Sequence, residues 1–511
     1  MDENEKKLKG LEERAKRMKV DYMDISEKDI TDDLSGLISV AFARQFHLIP
    51  VDIPDEDSLT IAMENPTDLY VLDQLSTRTK KKIIPVLADS DDIMSAISEL
   101  YSSATIEEMK VPILEDSKMR HTDSLIKLET LNWFKEVVVK AINRNASDIH
   151  IETYENEIKV RYRIDGVIAE STTIPRDMEI QINNIIKTIS KMKIEKRNIP
   201  QEGIIDLKIK CRDRVLRVGS LPTFYGERFV LRVTDEKLFD LKINKLGLSR
   251  NNLKMLKTMV RRRQGLILFS GPAGSGLSTS LYSTVHYISR PQLNVFTVED
   301  PIEAPIPNVN QMEVNPRIGM DKADCIRAIM RHDPNVLMVS TIRERQIAHL
   351  LIEAALSGQL VLAGIYARDA IDTITRIRDL GIDPYFLSTT LTGVVTQRLV
   401  RLVCPRCSIA VEIDDELSEE MVAHNLDEPY NIQKGTGCNF CLGTGYKGRI
   451  GINEVLLLSD PLKSLILRGS SRARMEEQAR RDGMKTLYAD GLEKVAQGLT
   501  TYDEIKRVLI E

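Results

Sequence analysis

Four short runs of almost unbroken apolar residues restrict what the centre of this chain can become. They are GLILFS (265–270), NVFTVED (294–300), NVLMVS (335–340) and LVLAGIY (360–366), and helical stretches separate them. A strand with one wet face alternates polar and apolar residues, whereas these runs do not, so both faces are expected to be buried. Strands of that kind joined by helices predict a mostly parallel sheet covered on both sides. The first run leads directly into GPAGSGLST (271–279) and then into a helical pattern. A phosphate-binding loop has the form G-x-x-x-x-G-K-[ST], and Gly271, Gly276 and Ser278 fit it while residue 277 is leucine. Glycines let backbone N–H groups wrap an anion, and the start of the following helix adds a favourable field. Leu277 brings no cation to the β and γ phosphates. Taken alone, the loop also fits a Gly-rich turn that binds nothing.

A length of 511 residues predicts three or four domains. Residues 1–20 are densely charged, with no apolar signal segment, and read as a solvated helix or tail. A small α/β domain is expected over 21–115, with a helix in SGLISVAFARQF (35–46) and strands in SLTIAMEN and KKIIPVLA. A second α/β domain is expected over 120–240. There TLNWFKEVVVKAINR forms a helix, and Asp148–Glu152 and Ile158–Ile164 form strands. Alternation puts Arg161 and Arg163 on one face of the latter strand, with Val160, Tyr162 and Ile164 opposite. The phosphate-loop domain spans 245–400, a cysteine-bearing segment 401–450, and a helical region 451–511. No run reaches the ~18 apolar residues of a membrane span, so a cytoplasmic location is expected, with peripheral docking on an inner membrane left open. The net charge of −5 and the lack of a basic stripe interleaved with aromatics argue against a nucleic-acid partner.

Six cysteines are too few for a disulfide scaffold. Cys404 and Cys407 form CPRC, Cys438 and Cys441 form CNFC, and thirty residues separate the pairs. Four thiolates complete a tetrahedron, which makes structural zinc the leading reading ahead of an Fe–S cluster or a redox dithiol. Gly435, Gly437, Gly443 and Gly445 would allow tight turns around the ion.

Three ordered segments carry a family resemblance. GPAGSGLST, TVEDPIE (297–303) and DPNVLMVSTIRE (333–344) resemble the motifs of the cytoplasmic motor ATPases of type II secretion and type IV pilus assembly. ASDIHIE, VRYRIDG and SLPTFYGERFVLR resemble the domain before the motor core, and LGIDPYFLSTTLTGVVTQRLVRLVCPRC and GTGYKGRIGINEVLLLSD its final portion. Residues 21–115 resemble the family's docking domain less closely, without a cyclic-dinucleotide-binding motif. The resemblance implies an α/β multidomain fold: a RecA-like P-loop core, a preceding arginine-bearing α/β domain and a zinc-binding insertion. It implies ATP or ADP with Mg²⁺ at Gly271, Gly274, Gly276, Ser278 and Thr279. Catalytic roles are implied for Glu299 near the metal and water, and for Arg163, Arg217 and Arg228 toward phosphate across a domain or subunit boundary; Arg161 belongs to the same basic set. The alternative for each arginine is surface charge or an internal ion pair.

The chain departs from the family pattern at three places. Leu277 stands at the lysine position, Thr341 at the glutamate position and Tyr366 at the histidine position of LAGIYARDA. A threonine hydroxyl cannot act as a carboxylate base near neutral pH. The expected function is a nucleotide-responsive motor subunit impaired in hydrolysis, in a homo-hexamer or with an active motor paralogue, on an inner-membrane platform. An ATPase that recruits another lysine or Glu299, and an adaptor that binds no nucleotide, are the competing expectations.

Overall fold

The computed structural model describes the chain except residues 1–13, 16, 19, 26–33, 35–36, 39–41, 44–45, 56–57, 80, 91, 95, 97–105, 110–120, 210–211, 234–238, 240, 425, 427–428 and 510–511. The charged start and most of the helix expected over 35–46 therefore lie outside the described residues. The chain divides into two units, Met1–Ile164 with Ile168–Val233, and Asp165–Val167 with Thr234–Glu511. Each is an α/β arrangement with a mixed sheet. Among the described residues no helix is long and apolar enough to cross a membrane.

In the first unit β1 (Leu48–Asp52), β2 (Ser58–Met63) and β3 (Lys82–Leu87) form a small sheet. β1 and β2 run antiparallel, β2 and β3 parallel, with helix Leu69–Thr79 as the crossover. Leu59, Ile61, Val71 and Leu75 fill this core. The second sheet contains β4 (Ile106–Met109), β5 (Ala146–Thr153), β6 (Glu157–Ile164), β7 (Val167–Pro175), β8 (Gln201–Ile209), β9 (Arg212–Pro222) and β10 (Glu227–Val233). Their order is β4-β8-β9-β10-β5-β6-β7. Helices His121–Asn143 and Glu179–Ile189 cover one face, where Ile149, Val160, Tyr162, Leu216 and Phe229 are buried. The opposite residues of the same strands, Asp148, His150, Glu152, Arg161 and Arg163, make the polar face, which is the alternation expected for β6.

The second unit is built on β11 (Gly265–Ser270), β12 (Val295–Glu299), β13 (Asn310–Glu313), β14 (Val336–Ile342), β15 (Leu360–Ile365) and β16 (Leu391–Val403), followed by β17 (Ser408–Ala410), β18 (Gln433–Gly435) and β19 (Tyr446–Leu457). The sheet order is β13-β12-β14-β15-β11-β16-β19. Leu266, Leu268, Leu337, Val339, Val361 and Ala363 face one core, while Ile267, Phe269, Met338, Leu360 and Leu362 face the other. Burial on both faces is why the four runs are continuously apolar. Helices Lys322–Ile329, Arg345–Leu356 and Ala370–Asp379 pack on the first face, and Arg250–Val260 and Leu277–Ile288 on the second. The arrangement is consistent with a RecA-like ATPase core.

Two features of this sheet differ from the sequence reading. Residues 451–457, placed above in a helical region, continue β19, and β19 pairs antiparallel with β16 from Gly393–Leu457 to Val403–Tyr446. The short strand β13 extends the far edge. Helices proper begin at Asp460, with Asp460–Leu467, Arg472–Arg481, Leu487–Ala496 and Tyr502–Leu509. Ser459 and Thr486 cap two of them by accepting from Leu462 and Ala489 N–H groups.

Candidate functional site: a glycine-rich loop and a four-cysteine knuckle

The strand ends define where chemistry can occur. β11, β14 and β15 are parallel, and Ser270 and Ile342 both lie opposite Ile365, so their carboxyl ends are level. Ligands in open α/β sheets bind outside such ends. Gly271–Gly276 leaves β11 there and enters helix Leu277–Ile288, whose N-cap Gly276 adopts the left-handed conformation at φ +83°. A Cβ on Gly276 would also stand 2.6 Å from Gln397 Nε2, and one on Gly271 would stand 2.5 Å from the Gln397 carbonyl. Side chains are therefore excluded at both positions, which keeps backbone N–H groups available to an anion. Gly274 and Ser278 are exposed and Thr279 is half-buried.

The loop is held by a residue far away in sequence. Gln397 on β16 donates to the Ser275 carbonyl at 2.8 Å and accepts from Ser280 Oγ at 2.6 Å, so it ties the loop to the helix that follows. On the opposite side of β16, Thr396 meets Ser270 Oγ at 2.7 Å, and Thr373 donates to Ser270 Oγ at 2.8 Å. Gln397 was not singled out from sequence. Its signal was a polar pair inside the apolar run LTGVVTQRLV. Gln397→Ala is expected to leave two buried polar groups unpaired at about 1–3 kcal/mol each. A lowered melting temperature and faster proteolysis of the 271–280 segment would register it, and an unchanged protein would contradict it.

Leu277 opens the helix with its side chain turned inward against the core that contains Met338 and Leu362. A Cβ on Gly364 would meet Leu277 Cδ2 at 3.0 Å and the Ser340 carbonyl at 2.2 Å, so residue 277 lies against the end of β14. Thr341 is the next residue on that strand, half-buried, and its carbonyl accepts from Lys322 Nζ at 3.2 Å. Burial first, and the Arg343 charge against the pull of Asp300, lower the Lys322 pKa. Arg343 stacks 5.9 Å from the Tyr366 ring centre.

Glu299 ends β12 and is 1% exposed. Its carboxylate accepts from Tyr282 Oη, from Thr297 Oγ1 at 2.6 Å and from Gln311 Nε2 at 3.0 Å. Burial, and then the Glu299 hydrogen bond, raise the Tyr282 pKa, and Tyr282 also accepts from the Glu303 and Ala304 N–H groups. Glu299 is thus enclosed in a network that fixes the 300–304 turn. Its neighbour Asp300 is exposed.

The arginines lie on the polar face of the first unit. Arg217, Arg232, Asp148 and Arg163 are in register across β9, β10, β5 and β6. Asp148 pairs with Arg232 at 3.2 Å and Arg163 at 3.8 Å, while Glu152 pairs with Arg161 at 2.6 Å and Arg228 at 2.8 Å. Burial pushes the Glu152 carboxyl up, but the Arg161 hydrogen bond and the Arg228 charge hold it below its usual range. Burial lowers the pKa of His150, which stands beside Arg228 at 3.3 Å.

The four paired cysteines meet beyond the end of β16. Their sulfurs all lie within 4.8 Å of one another. Cys404–Cys438 and Cys407–Cys441 are 3.8 Å apart, and Cys438–Cys441 is 3.7 Å. A tetrahedron with metal–sulfur bonds of about 2.3 Å has edges of about 3.8 Å, so the donor set fits one tetrahedral ion. The N–H groups of Gly437, Cys438 and Gly445 point at Cys407 or Cys441 sulfur at 3.2–3.3 Å, favouring thiolates. Gly437 approaches Gly443, and Gly435 approaches Gly445, backbone to backbone, with 2.7 Å left for a Cβ on Gly437. Burial first pushes the Cys404 thiol up to about 11, while backbone N–H groups outweigh burial at Cys441 and bring it down to about 6.

A mostly parallel sheet with a glycine loop at the carboxyl ends of its strands and helices on both faces is the arrangement of a P-loop nucleotide-binding fold. The comparisons narrow this class. The pattern of the type II/IV secretion system protein family matches residues 124–507, and the chain belongs to that family. Residues 18–107 match the MshEN domain. The type IV pilus assembly ATPase PilB of Thermus thermophilus is 33% identical over 499 residues, which cover 96% of this chain and 56% of that protein. The chain thus spans little more than half the length of that relative. The type II secretion system ATPase E of Vibrio cholerae is 36% identical over 445 residues, covering 87% of this chain and 85% of the other. Among solved structures, the Legionella pneumophila ATPase DotB superposes with a TM-score of 0.55 at 18% identity, over 74% of this chain and 95% of that one.

Proposed function

We propose that the chain is a nucleotide-responsive subunit of a type IV pilus assembly or type II secretion motor with impaired ATP hydrolysis of its own. The observation that carries this reading is Leu277: its partly buried side chain packs against the core at the position where the loop pattern calls for a mobile cation. Thr341, one residue before Ile342 at the end of β14, brings a hydroxyl where the family brings a carboxylate. Glu299 is enclosed by Tyr282, Thr297 and Gln311, so it does not stand in as a base. The backbone cradle and the Ser278 and Thr279 hydroxyls remain, which supports binding of ATP or ADP with Mg²⁺ without fast turnover.

In this reading the subunit works in the cytoplasm in a ring, a hexamer of its own copies or one shared with an active motor paralogue, docked on inner-membrane platform proteins. Arg163, Arg217 and Arg228 contribute charge toward phosphate in that ring. The four cysteines hold zinc, which supplies no chemistry and braces the knuckle between β16 and β19. Nucleic acid is not a partner.

Equilibrium binding of ATP and ADP to the full chain, followed by turnover at saturating ATP-Mg²⁺, tests the proposal. Binding with turnover far below that of an active motor is expected. Turnover like an active motor's overturns the impairment, and no binding of either nucleotide leaves the adaptor reading. Mass-resolved measurements should show concentration-dependent assembly, aided by nucleotide or a paralogue. A monomer under all those conditions contradicts the ring.

A further inference from the structure

The reading above leaves the glycine loop itself without a cation for the terminal phosphate of a bound triphosphate. The loop cradle supplies neutral N–H donors, residue 277 is a partly buried leucine, and Arg163, Arg217 and Arg228 belong to the other unit. Among the described residues the cations of the second unit close to the strand ends include Arg343, which follows β14 and lies over the Tyr366 ring at 5.9 Å, and Lys322. Lys322 is the first residue of helix Lys322–Ile329, whose N-cap Asp321 accepts from the Asp324 N–H. The helix packs through Ala323, Ile326 and Ile329 into the sheet core. That packing aims Lys322 back over the carboxyl end of β14, where its ammonium donates to the Thr341 carbonyl at 3.2 Å.

The register gives the scale. Ile342 of β14 and Ser270 of β11 are both level with Ile365 of β15, so Ile342, which follows Thr341, stands two strand spacings, about 10 Å, from the residue that enters the loop. Leu277 Cδ2 and the Ser340 carbonyl both lie close to Gly364 in the span between them. Gly364 has no side chain to block the path, and a Cβ there would clash with Ser340. A phosphate chain that starts in the loop and extends over these strand ends runs toward Lys322. The ammonium has three N–H donors, and the carbonyl takes one. Asp300 and Glu344 act on it from longer range, without the hydrogen bond that would tie it down, and Arg343 opposes them. Partial burial makes a second anionic partner favourable, because the charge is under-solvated where it stands.

Resting on the reading that Gly271–Ser278 binds nucleotide, we infer that Lys322 is the cation for the terminal phosphate of a nucleoside triphosphate, taking over from the side chain that Leu277 does not supply. The lysine then reports the γ-phosphate to the end of β14 by exchanging the Thr341 carbonyl for phosphate oxygen. This is a binding and signalling contact, and it includes no bond-breaking step.

Calorimetric titration of the full chain with ATP and with ADP, in the wild type, K322M, K322R and the double variant L277K/K322M, tests the inference. The wild type should prefer ATP to ADP. K322M should lose about tenfold or more in ATP affinity and change by less than about twofold for ADP. K322R should keep the ATP preference, and L277K/K322M should regain it. Retained ADP affinity shows that K322M is folded. ATP affinity in K322M equal to the wild type overturns the inference and leaves the nucleotide reading intact. An equal loss for both nucleotides also overturns it, because it marks a structural lysine. A wild type that binds neither nucleotide overturns the nucleotide reading itself.

Discussion

Replacing Cys404, Cys407, Cys438 or Cys441 with serine is expected to strip a metal ion from the purified protein and destabilise the β16–β19 end of the core. The wild type should carry close to one zinc per chain by elemental analysis, and each variant much less. The sulfur separations already match the edges of a zinc tetrahedron, so the folded chain presents a preformed site that the unfolded chain lacks. Binding free energy then becomes folding free energy, on the order of 10 kcal/mol for structural zinc in small domains. The location sets where the loss is felt. Cys404 directly follows β16 and Gly445 directly precedes β19, with the Cys404 N–H donating to the Gly445 carbonyl at 2.9 Å. The ion closes the long excursion between these antiparallel partners, and losing it returns the closure entropy of that loop. A strong chelator should lower the melting temperature of the wild type and leave a serine variant unmoved. Metal retention should also weaken as pH falls, because every ligand thiol must lose its proton to bind. Full stability with no bound zinc in reduced protein would exclude the site.

The second large effect is expected in ATP turnover. One preorganised charge at a transition state is worth several kcal/mol, hence about a hundredfold to a thousandfold in rate, and positions 277 and 341, charged in the family pattern, are both neutral here. Wild-type turnover should therefore be near background. L277K alone should improve nucleotide binding more than turnover, because Thr341 still offers no base. The new lysine also gives up the packing that Leu277 makes against the core, so a modest fall in melting temperature is expected. T341E alone should restore little. Its carboxylate would arise on the residue whose carbonyl already holds Lys322, and the two charges would satisfy one another. Only the double variant L277K/T341E supplies cation and base separately, so it should show the largest gain. Rates are to be compared at saturating ATP-Mg²⁺ with oligomeric state measured alongside, and a loop-disrupting variant controls for contamination. Wild-type turnover matching an active motor would reject the assignment.

The sequence by itself determined the parts whose causes are local. Strands β11, β12, β14 and β15 were legible because burial on both faces forces unbroken apolar runs. The glycine loop was legible because a positive φ, with the Gln397 side chain close by, favours glycine at Gly276. The cysteine pairs announced a metal site through spacing within each pair, and the tertiary structure added that the pairs meet. Other facts depend on which distant residues become neighbours, and no local period encodes that. Gln397 latches a loop more than a hundred residues away; β19 joins the core sheet instead of opening the helical region; and Glu299, an acid in an acidic motif, is enclosed by Tyr282 and Gln311. Lys322 was one lysine among many in the sequence. Helix packing alone set its ammonium on the Thr341 carbonyl, because a flexible charged side chain is placed by the backbone it hangs from and by the partners that backbone brings near.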